Sequence, residues 1–107
     1  MKIYISLPIT GKDETKQRQK AKAWQVYFKD RGIETINPFD VYDELRTKSP
    51  KEPTYEEIMN EDLKYLDTCS HVILISGWQD SKGCIKEVER SIEKNLTFLF
   101  ERKIKLT

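Results

Sequence analysis

The stretch from residue 72 to residue 92 constrains the fold more than any other, because its hydrophobic pattern changes character along it. Residues 72–75 read Val-Ile-Leu-Ile, an uncharged and largely β-branched run that is typical of a buried strand. A loop with glycine, aspartate and serine follows, and then Ile85, Val88 and Ile92 recur at helical spacing. This succession predicts a strand, a loop and a helix, with the loop at the carboxyl end of a buried strand, where open α/β sheets bind ligands.

The rest of the chain repeats this alternation. Strands are predicted at residues 2–7, 33–36, 72–76 and 96–100. Helices are predicted at residues 13–31, 54–67 and 83–95. Asp13 is a suitable N-cap for the first helix, Gly32 follows its end, and Thr54 opens a capping box for the second. The order predicts one parallel sheet with the first strand central and helices on both faces, in a single domain spanning residues 1–107.

Residues 37–53 interrupt the alternation and are predicted to form a long, irregular segment. Three prolines, Pro38, Pro50 and Pro53, lie in it. Loops of this length inside a small domain are commonly functional or mobile. Phe39 and Tyr42, with Asp40 between them, either line a pocket or fold back onto the core, and the pattern leaves both readings open.

Composition narrows the functional classes. The chain has 19 basic and 18 acidic residues and a formal charge of +1, which argues against a nucleic-acid polymer as partner. No apolar stretch approaches the roughly 20 residues of a membrane-spanning helix, and residues 1–5 are too short and polar-flanked for a signal peptide. We therefore expect a cytoplasmic protein without membrane contact. Cys69, His71 and Cys84 match no standard zinc spacing, so we expect neither a metal nor another cofactor.

Two carboxyl residues attract attention by their positions. Glu87 lies on the second turn of the last predicted helix and points back toward its start. It is either a cap or surface charge, or a carboxylate aimed into a cleft. Asp62 interrupts the apolar stripe of its helix, where an unpartnered carboxylate costs free energy. It lies either at the solvent edge of the stripe, or near a cleft with a pKa raised by desolvation.

A pair of carboxyl groups in different environments suits cleavage of a glycosidic bond. One carboxylate acts as a nucleophile on the sugar, and the other, held protonated, acts as a general acid toward the leaving base. The Tyr4 hydroxyl is placed to orient the nucleophile, and Trp78 offers a flat face for stacking a nucleobase.

Three segments resemble the nucleoside 2-deoxyribosyltransferase superfamily. They are residues 4–11, Tyr-Ile-Ser-Leu-Pro-Ile-Thr-Gly, residues 60–63, Asn-Glu-Asp-Leu, and residues 81–87, Ser-Lys-Gly-Cys-Ile-Lys-Glu. The likeness covers most of the chain and is greatest to a small branch of unknown function, related to deoxynucleotide N-hydrolases, in which Gly-Trp follows the third strand. The resemblance implies a flavodoxin-like, Rossmann-like fold and cleavage of the N-glycosidic bond of deoxynucleosides or their monophosphates. By position, Glu87 resembles the nucleophile, Asp62 the acid that serves the leaving base, and Tyr4 the tyrosine that holds the nucleophile.

The resemblance and the loop positions together name the residues expected to bind substrate. They are Ser6, Gly11, Lys12, Gly77, Trp78, Ser81 and Gly83. The transferases carry an aspartate where this chain has Ser81, whereas the N-hydrolases carry serine near the substrate phosphate, so Ser81 favours a phosphorylated substrate. The family also completes each site with a polar residue near the C-terminus of a neighbouring subunit, which a chain ending at Thr107 is not expected to supply.

The sequence thus predicts an enzyme that cleaves or transfers at the N-glycosidic bond of a deoxynucleoside or its monophosphate. The alternatives are a nucleotide-binding module that uses the same cleft without catalysis, and a structural protein in which Glu87 only caps a helix. A homodimer or larger homo-oligomer is expected from the resemblance. The aromatic residues Trp24, Tyr27 and Phe28, which exceed what one helix stripe usually needs, point the same way.

Overall fold

A computed structural model describes residues 1–101 of the chain. The strands are β1 (Lys2–Ser6), β2 (Glu34–Ile36), β3 (His71–Leu74) and β4 (Thr97–Phe100). The helices are α1 (Glu14–Lys29), α2 (Pro38–Lys48), α3 (Tyr55–Leu66) and α4 (Lys82–Glu93), and a short 3₁₀ turn, Trp78–Asp80, precedes α4. No described helix is both long and apolar enough to cross a membrane.

The four strands form one parallel sheet in the order β2-β1-β3-β4. The predicted α/β class, the parallel pairing and the interior position of β1 are therefore confirmed, and the order is that of a flavodoxin-like fold. Each strand is one residue shorter than predicted, and β3 also begins one residue earlier. Because all strands run the same way, the loops that follow β1 and β3 emerge at the same edge of the sheet.

Helices cover both faces of the sheet because β1 and β3 are apolar on both sides. On one face, Ile3 and Ile5 pack beneath Trp24 and Phe28 of α1. On the other face, Tyr4 clusters with Leu66 at the end of α3. The alternation within β1 thus separates an apolar face toward α1 from a face toward α3 and α4 that includes two hydroxyl side chains, Tyr4 and Ser6.

The prediction of an irregular segment over residues 37–53 was wrong for most of its length. Residues Pro38–Lys48 form α2, whose N-cap Asn37 accepts a hydrogen bond from the Phe39 amide at 3.0 Å. Asn37-Pro38 is a helix-start signature, since proline at the first helical position has the right φ and needs no donor. The sequence argument used the same dipeptide only to end β2. Both earlier readings of the aromatics hold in part, because Phe39 is core and also borders a cavity.

The buried face of α4 is also different from the predicted one. Of the three apolar residues at helical spacing, Ile85 and Ile92 are 37% and 61% exposed, and Val88 packs partly against the core. The face turned inward carries Cys84, Glu87 and Ser91. This face of α4 turns toward the sheet because the Tyr4 and Ser6 hydroxyl groups of β1 donate hydrogen bonds to the Glu87 carboxylate. If the isoleucines faced the sheet, Glu87 would not reach these donors.

The aromatic residues of α1 are used within the domain itself. Trp24 and Phe28 are buried, and Tyr27 packs edge-on against both. The indole nitrogen of Trp24 donates to Glu101 Oε2 at 2.7 Å. The argument that these aromatics are surplus and need a partner subunit was therefore wrong. Glu101, assigned to a charged tail, is half-buried in this contact, and the rest of that tail, with the C-terminal end, lies outside the described residues.

Candidate active site

Two loops meet at the carboxyl edge of the sheet. Gly77, in the loop after β3, has a φ of +94°, and a Cβ added there would lie 3.3 Å from the Pro8 ring in the loop after β1. A left-handed φ favours glycine, and the close approach to Pro8 adds a second restriction. The two loops predicted to face a ligand are therefore neighbours.

Gly77→Ala is expected to destabilise the fold by about 1–2 kcal/mol, because the new side chain adds both φ strain and contact with Pro8. The matched control is Gly83→Ala in α4, where an added Cβ meets Met59 Sδ at an ordinary 3.5 Å. Urea unfolding checks the difference. Equal unfolding midpoints for the two variants would contradict the strain at Gly77.

Glu87 lies in a polar pocket of the core. It is only 5% exposed, and it receives hydrogen bonds on both carboxylate oxygens. Tyr4 Oη donates to Oε2 at 2.6 Å, and Ser6 Oγ donates to Oε1 at 2.7 Å. Burial raises the pKa of Glu87 to about 7, although these two hydrogen bonds act to lower it. The reading of Glu87 as a cap or surface charge is excluded by this burial.

Asp62 faces the same region from α3. It is also only 5% exposed, so the reading of a solvent-edge residue was wrong. Its Oδ1 atom has no hydrogen-bond partner among the described residues. Burial, and then the neighbouring charge of Glu87, raise the pKa of Asp62 to about 8. The pKa of Asp62 is thus raised by desolvation, as the cleft reading of the sequence expected, and that of Glu87 is raised as well.

A cavity of about 240 Å³ opens in front of these carboxyl groups. Asp62 and Glu87 line it, together with Ser81 and Gly83 at the start of α4. Its apolar walls come from the β1–α1 loop and three helices, and include Leu7, Ile9, Phe39, Ile58 and Met59. The charged side chains that line it within residues 1–101 are all acidic, namely Glu14, Asp62 and Glu87.

An outer groove continues from this cavity past the N-terminus of α4. The groove shares Thr10, Tyr55, Ser81 and Gly83 with the cavity and adds one acidic and one basic residue, Asp80 and Lys82. Ser81 is the N-cap of α4, and its hydroxyl accepts a hydrogen bond from the Cys84 amide at 3.2 Å. Lys82 is exposed here beside the positive end of the α4 dipole.

Several predicted binding residues lie elsewhere. Tyr4 and Ser6 are behind Glu87, fully buried, and act on its carboxylate without lining the cavity. Gly11, Lys12, Gly77 and Trp78 do not line the cavity either. Trp78 instead packs against Phe100 of β4, at a ring separation of 6.4 Å, and joins the core on that side. Its position after β3 was right, but the 3₁₀ turn directs it toward β4.

Other lining residues were missed as site residues. Tyr55 and Met59 share the helical face of Asp62, and the sequence argument assigned them to the core stripe. Tyr42 on α2 was left open between pocket and core, and it lines the cavity. The spacing of Tyr55, Met59 and Asp62 was the available signal, because residues on one helix face approach the same cleft.

The arrangement provides a hydrogen-bonded carboxylate and a second carboxyl group, both with raised pKa, at the wall of a largely apolar cavity. Perturbed carboxyl groups in a cleft are typical of catalytic sites. Residues 1–101 contain no group of three or more histidine, cysteine, aspartate or glutamate side chains arranged to hold a metal ion. Both cysteines are buried free thiols.

Comparison with known proteins gives one family. Neither the curated proteins nor the solved structures gave a match. A family model described as a domain of unknown function, DUF4406, matches residues 1–99. This match spans nearly the whole chain and includes every residue of the site described above, so the chain belongs to the DUF4406 family.

Proposed function

We propose that this protein cleaves the N-glycosidic bond of a 2′-deoxynucleoside or its monophosphate, with Glu87 as nucleophile. The observation that carries the proposal is the Glu87 carboxylate, which is held by two hydroxyl groups and lines the same cavity as Asp62, a second buried carboxyl group. The resemblance of this chain to the nucleoside 2-deoxyribosyltransferase superfamily supports the same assignment.

The reaction proceeds in two steps. A Glu87 oxygen attacks the anomeric carbon, the bond from that carbon to the base nitrogen breaks, and the protonated Asp62 supplies a proton to the departing base. This leaves a deoxyribosyl ester on Glu87. Water, deprotonated by Asp62, then attacks the same carbon and frees the sugar and Glu87. A second base in place of water gives transfer.

The apolar walls and acidic lining bear on the substrate. The cavity alone lies just below the ~300–1,000 Å³ usual for small-molecule sites, and the outer groove extends it. Three carboxyl groups disfavour an anion inside the cavity. The neutral base and sugar therefore fit the cavity, and a phosphate fits the groove at Lys82 and the α4 N-terminus.

A panel of deoxynucleosides and their monophosphates tests the proposal. We expect release of free base, detected by chromatography, and a deoxyribosyl adduct on Glu87, located by mass spectrometry after rapid acid quenching. The rival function is a nucleotide-binding module in the same cleft. Thermal stabilisation by a nucleotide, with neither free base nor adduct, would favour the binding module and refute the proposed enzymatic activity.

The monophosphate is expected to bind more tightly than the nucleoside. Ser6 and Lys12, which the sequence analysis expected to bind substrate, lie outside the groove, so Lys82 is the cation that we assign to the phosphate. Lys82→Gln should weaken monophosphate binding about 3- to 10-fold, the effect of one partly exposed ion pair, and leave nucleoside binding unchanged. Isothermal titration calorimetry measures both, with Lys94→Gln, on the far end of α4, as the control. Equal affinity of the wild type for nucleoside and monophosphate would rule out a phosphate subsite.

Assembly as a homodimer or larger homo-oligomer stays a prediction that rests on the family resemblance. Light scattering at micromolar concentration decides it, and a monomer mass would count against it.

A further inference from the structure

The two hydroxyl groups on Glu87 come from the same strand. Tyr4 and Ser6 are two residues apart on β1, so their side chains point to the same face of the sheet. Tyr4 donates to Oε2 and Ser6 donates to Oε1, and both side chains are fully buried. Each carboxylate oxygen of Glu87 therefore has its own donor, fixed in place by the sheet.

This arrangement discriminates between the two forms of Glu87. A serine or tyrosine hydroxyl has one proton to donate, and an ionised carboxylate only accepts. Two donors on two oxygens therefore suit the ionised form. In a protonated Glu87, one oxygen would carry its own proton, and the hydrogen bond that this oxygen accepts would be weakened or lost. Asp62 differs, because its buried Oδ1 has no donor among the described residues. A hydrogen bond from Tyr4 acts to lower the pKa of Asp62, but the single Tyr4 proton is donated to Glu87 at 2.6 Å, so a negative charge on Asp62 is less well stabilised than one on Glu87.

We propose that Ser6 is a positioning residue that, with Tyr4, holds Glu87 in its ionised form and leaves the proton of the carboxyl pair on Asp62. The role assigned to Ser6 from the sequence, contact with substrate, is replaced by this one. The protonation state follows from the hydrogen bonds alone, while its consequence for catalysis rests on the proposed function.

The surroundings of Glu87 contain no competing counter-charge within residues 1–101. The titratable groups that act on it are Tyr4 of β1, Asp62 and Tyr55 of α3, and Cys84 of α4 itself. None of these side chains can carry a positive charge. The hydroxyl donors are therefore the main source of stabilisation for the Glu87 charge, and removal of one should be measurable.

The chain supplies a matched control for such a removal. Ser91 is as buried as Ser6, and its hydroxyl donates to the backbone carbonyl oxygen of Glu87 at 2.7 Å. Ser91→Ala and Ser6→Ala each delete one buried hydroxyl that contacts Glu87. Only Ser6→Ala removes a donor from the carboxylate.

Carbon-13 NMR of protein labelled at the carboxyl carbons of glutamate and aspartate tests the proposal. Glu87→Gln and Asp62→Asn assign the two resonances. In the wild type, we expect Glu87 to ionise at lower pH than Asp62. In Ser6→Ala, the midpoint for Glu87 should rise by about one pH unit or more, the effect expected from losing a hydrogen bond to a charged group. Ser91→Ala should leave it unchanged. Ser6→Cys keeps a weak donor at nearly the same size and should give a smaller rise in the Glu87 midpoint. This variant also tests the proposal if Ser6→Ala does not fold.

An unchanged Glu87 midpoint in Ser6→Ala or Ser6→Cys, or an equal rise in Ser91→Ala, would overturn the proposal. If base release is observed, the alkaline shift should also appear in the rising limb of kcat/KM against pH for Ser6→Ala. Absence of turnover with every substrate would refute the proposed function, yet the NMR titration would still decide the role of Ser6.

Discussion

Glu87→Gln is expected to abolish release of free base, with a loss of at least about 10⁴-fold in kcat, because the neutral amide cannot form the sugar ester. Binding should largely survive, since the amide keeps the shape of the side chain and one acceptor oxygen. Single-turnover assays with a saturating deoxynucleoside or its monophosphate measure the loss.

Two further variants make this result specific. Glu89→Gln changes an exposed acid on the same helix and should keep full activity. Tyr4→Phe removes one of two donors to Glu87 and should slow release less than Glu87→Gln. Turnover that persists in Glu87→Gln would refute its role as nucleophile, and the cavity would then need another function.

The second large effect concerns stability. We expect the melting temperature to fall by at least about 10 °C between pH 5 and pH 8, equivalent to at least about 2 kcal/mol of unfolding free energy. The folded-state pKa values of Glu87 and Asp62 are raised to about 7 and about 8. The folded protein thus binds more protons than the unfolded chain above pH 4–5, and stability is lost as pH rises through the folded pKa values.

Between pH 5 and pH 8, the effect of Glu87 and Asp62 on stability can be measured without a contribution from the carboxylates of surface ion pairs. A carboxylate such as Asp67, hydrogen-bonded by Arg90, has a lowered pKa. Its contribution is complete above its unfolded pKa of about 4 and is lost only as the solution becomes more acidic. It therefore adds no slope between pH 5 and pH 8.

Asp62→Asn should remove about half of the fall in melting temperature, because it deletes one of the two groups with a raised folded-state pKa and breaks no hydrogen bond to Oδ1. At pH 8 this variant should be more stable than the wild type, although less active. Glu89→Gln should keep the wild-type slope. Differential scanning calorimetry across the window provides the comparison, and a flat wild-type profile would contradict the buried, coupled pair.

The two large effects have one cause. Two buried carboxyl groups cost stability at neutral pH, and the same desolvation raises their pKa values toward the working range of an acid and a base. The outward turn of Ile85 and Ile92 is part of this arrangement, because α4 presents Glu87 to the sheet in their place.

Local patterns were sufficient to predict most of the framework. The β-branched run at β3, the alternation of Ile3, Ile5 and Leu7, and the capping box at Thr54 are read within a few residues, and the structure retains them. Asp62 could be noticed in the same way, as a polar residue in an apolar helical stripe. The one local error, α2, came from reading Asn37-Pro38 as a strand end and overlooking that it also begins a helix.

The composition of the site was decided by the tertiary structure. Whether Glu87 is a surface charge or a buried one depends on the rotation of α4, and that rotation depends on Tyr4 and Ser6, more than 80 residues earlier in the chain. Trp78 packs toward β4, and Tyr55 and Met59 line the cavity with Asp62. These positions also depend on contacts with distant parts of the chain. Local propensity sets where helices and strands form, whereas the orientation of a helix follows from all the contacts available to its faces. In α4, the hydrogen bonds from two buried hydroxyl groups to Glu87 accompany an orientation that leaves two isoleucines exposed.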